Sequence, residues 1–123
     1  MKIERFEDLE CWQEARNLCK MVYSNVGKGN FPKDYRLRDQ ITGASISVMN
    51  NIVEGFASQS NPEFIRFLSY ARRSSSEVQT CLYVALDQKY IEENQFTVVY
   101  KQAGKCRMMI DGLRRYLVKQ KAV

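Results

Sequence analysis

Histidine is absent from this chain, which removes the side chain that ordinarily exchanges protons near neutral pH. Cysteine is sparse and scattered. Cys11, Cys19, Cys81 and Cys106 form no C-x-x-C pair, so a zinc site would need all four distant thiolates with no imidazole to help. Small buried hydrophobes in a reducing compartment are the better reading of these residues than a disulfide frame or a metal site. No glycine-rich phosphate loop and no nucleophile elbow occurs. Nor does any stretch suit a bilayer: the uncharged run from Ile41 to Val53 is too short, and Thr, Ser and Asn break it. The opening Met1-Lys2-Ile3-Glu4-Arg5 lacks the apolar centre of a signal peptide, so a cytoplasmic location is expected. Taken together, these absences argue against an enzyme and against a bound cofactor or metal.

What remains is ordinary globular material. The 123 residues are 45 % hydrophobic and 27 % charged, one domain's worth, expected as a single unit over residues 1–123. The segment Leu37 to Ala57 organises the rest. At 3.6 residues per turn, Leu37, Ile41, Ala44, Val48, Asn51, Ile52 and Gly55 share one face, while Ile46, Met49 and Val53 fall nearly opposite. A helix apolar on two sides needs two partners, its own bundle and a second surface.

Three further helices follow from the same periodicity. The first opens at Phe6-Glu7-Asp8-Leu9 with Asp8 as its cap, runs along Trp12, Ala15, Cys19, Val22, Tyr23 and Val26, and stops at Gly27-Lys28-Gly29-Asn30, where glycine reaches the left-handed conformation of a helix end cheaply. The second runs from Lys33 or Tyr35 to Ala57. The third starts with Asn61 at the cap, Pro62 in the first position and Glu63 in the first turn. Its inward stripe comprises Phe64, Phe67, Leu68, Ala71, Ser75, Val78, Leu82, Ala85 and Leu86. The fourth starts near Glu92 and turns Phe96, Val99, Ala103, Cys106, Ile110, Leu113 and Leu117 inward. Four amphipathic helices with short connections predict an all-α fold, an antiparallel up-down-up-down four-helix bundle.

Several of these segments carry a family pattern. Phe6 to Ala15, Tyr23, Phe31-Pro32, Leu37-Arg38-Asp39-Gln40-Ile41 and above all Asn51-Ile52-Val53-Glu54-Gly55, followed by Ala71 to Val78, together resemble the bacterial four-helix-bundle proteins encoded in intervening sequences of 23S ribosomal RNA genes. The chain departs from that pattern at Thr42-Gly43, where such proteins tend to carry arginine-rich residues, and at Val53, where alanine is common. The resemblance implies a non-enzymatic protein that assembles as a homopentamer. It also implies likeness in fold to the accessory proteins of diversity-generating retroelements, which bind reverse transcriptase and nucleic acid.

Candidate functional residues fall into three groups. Ile46, Met49 and Val53 are expected at an oligomer interface. Asn51, Glu54 and Glu77 are expected to be structural: Asn51 hydrogen-bonded to a neighbouring helix or a water, the two carboxylates holding interhelical or intersubunit hydrogen bonds rather than acting as an acid-base pair. From Glu92 onward there are seven basic residues against three acidic, an excess of four within a net charge of +5. Lys101, Lys105, Arg115 and Lys119 form a row opposite the core stripe, about 27 Å long at 1.5 Å per residue. Repeated around a ring, such a row attracts phosphates without reading base sequence. It carries no aromatic residue, so duplex or folded RNA is the expected form. RNA binding is therefore the expected function. The alternative is a protein-interaction scaffold or accessory subunit with no nucleic-acid contact.

Overall fold

The computed structural model of the chain describes residues 2–121. It holds four α-helices, α1 Glu10–Val26, α2 Tyr35–Ala57, α3 Asn61–Asp87 and α4 Glu93–Lys121, with 3-10 turns at Phe6–Asp8 and Phe31–Lys33. Helix α3 packs against α2 and α4, and α1 closes the ring between α2 and α4. Paired residues run in opposite senses along three of the four seams, which fixes the fourth: Gln40 with Glu77 and Phe56 with Phe64 between α2 and α3, Arg72 with Asp111 and Gln79 with Arg107 between α3 and α4, Glu14 with Gln102 and Asn25 with Gln95 between α1 and α4. Neighbours are therefore antiparallel all the way round.

Local chemistry sets the helix ends, mostly within a residue of the expected positions. Asp8 is not the cap of α1. It lies in the preceding 3-10 turn, and Leu9 stands at the cap with no side-chain hydrogen bond. Burying Leu9 is worth more than the roughly 1 kcal/mol a cap supplies. Within the expected stop after α1, Gly27 keeps a negative φ of −77° and Gly29 is the residue that turns left-handed, at +60°. Asp34 caps α2, its Oδ1 accepting from the Leu37 amide at 3.1 Å. Ser60, not Asn61, caps α3 through the Glu63 amide, which makes Asn61 the first helical residue and Pro62 the second. Two connections meet at one end of the bundle: the fully buried Phe31 stacks on Tyr90 at 5.4 Å, and the Tyr90 hydroxyl donates to Asp34.

The core comprises Leu18, Val22, Ile41, Val48, Ile52, Leu68, Val78, Leu82, Val99 and Ile110, with Cys11, Cys81 and Cys106 buried among them. Helix α1 is turned slightly from the expected stripe. Cys11 and Leu18 are buried, Trp12 and Cys19 are half-buried, and Tyr23 is 51 % exposed. Sitting between α2 and α4, α1 centres its buried face between the two neighbours, which displaces the stripe by about one position. Asn51 is also a correction. It is half-buried, and its Nδ2 donates to the Ser47 carbonyl of its own helix at 2.9 Å, so no neighbouring helix is needed to satisfy it. Two buried polar groups follow the same rule, the Ser45 and Ser75 hydroxyls donating to the Thr42 and Arg72 carbonyls one turn back, whereas the buried Gln79 is satisfied across the α3–α4 seam by the Tyr100 carbonyl and Arg107. No helix among the described residues is long and apolar enough to cross a membrane.

Candidate nucleic-acid interface

The basic row of α4 is divided by its neighbours. Lys101 is exposed. Lys105 leans toward α1, where its Nζ lies 3.4 Å from Glu14 Oε2. The Glu14 carboxyl is held below its usual range, chiefly by the Gln102 amide, with Asn17 and Lys105 adding to it. Arg115 and Lys119 lie at the other end of α4, exposed, beside Arg114 and Val118.

There the tertiary structure adds what the row lacks. Two Arg-Arg pairs, Arg72-Arg73 on α3 and Arg114-Arg115 on α4, converge with Ser69 and Asp111 on an open depression of about 360 Å³. Among the described residues, Asp111 is the one carboxylate lining it. Its Oδ1 and Oδ2 accept from Arg72 Nε at 2.8 and 3.1 Å, and Oδ1 lies 3.8 Å from an Arg114 nitrogen. Four guanidinium groups against one carboxylate leave three uncompensated charges. Arg114 Nε is buried and has no hydrogen-bond partner among the described residues. Cations held together without counter-charge repel one another by about 1 kcal/mol per pair at 4 Å even in water, so the site favours an anion. Arginine's fork of donors matches phosphate oxygens in geometry as well as charge.

Arg72, Arg73 and Arg114 were not in the expected row. The signal for them was the repeated Arg-Arg dipeptide. Only the antiparallel pairing of α3 with α4 makes the two dipeptides neighbours.

The other expected residues occupy different surfaces. Ile46 is 47 % exposed on α2, and Val53 is half-buried on the same side. Met49 is half-buried and packs partly against the core. Glu77 accepts from Gln40 Nε2 across the α2–α3 seam, whereas Glu54 is exposed and its carboxylate makes no hydrogen bond among the described residues. Glu54 and Glu77 thus do not form a pair.

Residues 7–112 match the family model described as 23S rRNA-intervening sequence protein. No curated protein matches the chain. The matched segment takes in Arg72, Arg73 and Asp111 and ends just before Arg114.

Proposed function

We propose, from the premise that the chain belongs to the 23S rRNA-intervening sequence protein family, that it is a non-enzymatic oligomer that binds structured RNA through the arginine cluster between α3 and α4. The observation that carries the reading is the meeting of Arg72-Arg73 with Arg114-Arg115 around a single carboxylate. Lys119 and Lys101 extend that charge along α4. Each phosphate neutralised releases counterions, so affinity should fall steeply with salt.

The test is filter binding of an RNA hairpin between about 50 and 200 mM salt. Comparison is with a variant carrying Arg72→Glu, Arg115→Glu and Lys119→Glu. The natural protein should lose about 10²-fold or more in affinity across that range, and the variant should bind at least that much more weakly at low salt with a flatter salt dependence. Affinity indifferent to salt and to these substitutions would count against the proposal.

Assembly rests on the outer face of α2. Ile46 and Val53 lie there, and so does Gly43, at which an added Cβ would meet nothing within 4 Å. A glycine inside a helix costs about 1 kcal/mol relative to alanine, and the single chain gives no return for it. Close approach of a second copy would. We expect a homopentamer in solution, reduced to the 14.4 kDa chain by Ile46→Glu with Val53→Glu, as read by light scattering. An unchanged particle mass would mean that this face is not the contact.

A further inference from the structure

The arginine cluster is one end of a longer seam. At the other end Tyr83 of α3 stands against Phe96 and Tyr100 of α4, with ring centroids 4.9 and 5.6 Å away. Phe96 and Tyr100 are half-buried and stacked on each other, 27° from parallel. Tyr83 is different. It is 50 % exposed, and its ring is inclined 58° and 77° to its two neighbours, so neither lies flat on it. The structure therefore holds an aromatic ring on a rigid base of two others with half its surface in water. Tyr83 and Arg72 lie eleven positions apart on one stripe of α3, roughly 16 Å at 1.5 Å per residue. Between them lies Gly104 of α4, where an added Cβ would approach only the Gln79 amide. Arg107 lies beneath, donating to Gln79 Oε1 at 3.1 Å.

We infer that this seam takes an unpaired stretch of RNA, a base stacking on Tyr83 while the backbone runs toward Arg72 and Arg115. The inference rests on the RNA-binding reading above and narrows it. A duplex hides its base faces and could engage the arginines alone. An unpaired strand offers both a π-face and phosphates, and the seam offers a match for both within one short span. The row on α4 lacks aromatics, as its sequence says, but the adjoining seam supplies them. An acidic peptide would satisfy the arginines and leave Tyr83 without a partner.

The experiment is fluorescence anisotropy with two labelled RNAs, a blunt duplex and the same duplex carrying an unpaired purine overhang. Polyglutamate matched to the overhang RNA in charge serves as competitor. The overhang should tighten binding about tenfold or more. Tyr83→Ser should abolish that gain and leave blunt-duplex affinity unchanged, and Tyr83→Phe should preserve it. Because Tyr83 is half exposed, both variants should fold, which circular dichroism would verify. Blunt-duplex binding with no gain from the overhang, a gain that survives Tyr83→Ser, or displacement by polyglutamate as efficient as by overhang RNA would each overturn the inference and leave RNA binding standing. Absence of binding to either RNA would sink both.

Discussion

Raising the pH from 9 to 11 is expected to cost the folded chain about 4 kcal/mol, from two buried thiols alone. Burial pushes Cys11 up to about 11 and Cys106 up to about 12, from an ordinary value of 9.0. Cys81 moves the same way to about 11, again through burial, with Glu77 adding to it. In each case the folded protein keeps the thiol neutral after the unfolded chain has released its proton. The unfolded state then binds fewer protons, so stability falls as pH rises, by up to about 1.4 kcal/mol per unit for each thiol. The contribution is present in full below pH 9 and is lost as pH climbs through 11 to 12. Two thiols over two units, with the slope reduced close to each pKa, give the figure above, a large share of the 5–15 kcal/mol typical of a domain.

Urea denaturation at steps from pH 8 to 11 would measure this loss. Tyrosines and lysines also titrate in that range, so the decisive comparison is of slopes. Cys106→Ala should be less stable than the natural chain at neutral pH because of the cavity it leaves. Above pH 9 it should nevertheless lose stability more slowly, by about 1.4 kcal/mol per unit. Equal slopes in the two proteins would mean that Cys106 is not held neutral by the core.

Substitution at Gly55 is the second large effect. A Cβ there would stand 2.7 Å from Phe64 Cδ1, 3.1 Å from Phe67 Cβ and 3.3 Å from Phe64 Cα. A ring can turn aside, but the Phe64 Cα belongs to the backbone of α3 and the Phe67 Cβ sits directly on it. Relief therefore requires α2 and α3 to separate where they cross. Gly55→Ala should destabilise by about 1–3 kcal/mol, despite the gain of about 1 kcal/mol that alanine brings to an unconstrained helix. Gly55→Leu should leave little folded protein.

Gly43 is the internal comparison, since it lies in the same helix with open space about it. Gly43→Ala, measured in the Ile46→Glu, Val53→Glu background, should raise the melting temperature by roughly 4 °C, corresponding to about 1 kcal/mol. Should Gly55→Ala raise it as well, the close crossing of α2 and α3 would not be limiting.

The contrast between these glycines marks the limit of the sequence. Both interrupt a helical pattern, and a wheel assigns Gly55 to the inward stripe and Gly43 elsewhere. How near Phe64 comes to Gly55 depends on the crossing of two helices, which no local pattern encodes. Cap positions show the same division on a smaller scale. Pro62 and Glu63 announced the start of α3, but Ser60 and Asn61 are both good caps, and packing chose Ser60. At Leu9 the pull of the core overrode Asp8 altogether. The turn after α3 had no glycine to announce it: Lys89 takes the left-handed conformation at φ 63°, and the Tyr90 amide returns to the Ala85 carbonyl, an arrangement secured by Tyr90 stacking on Phe31.

Four helices, their approximate ends and most of their buried faces were determined by sequence alone, because a period of 3.6 residues is a local property that a single strong stripe expresses. The basic excess of the last helix was equally legible, being a matter of counting. Tertiary structure alone decided which charges act together. Lys105 was drawn toward Glu14 on α1, while Arg115 was joined by Arg72 and Arg73 from a helix some forty residues earlier. It also brought Tyr83 onto Phe96 and Tyr100, so that an aromatic platform and an arginine cluster share one seam. The reason is geometric: a helix wheel orders side chains around one axis, and a site between two helices depends on the register and antiparallel sense in which those axes meet.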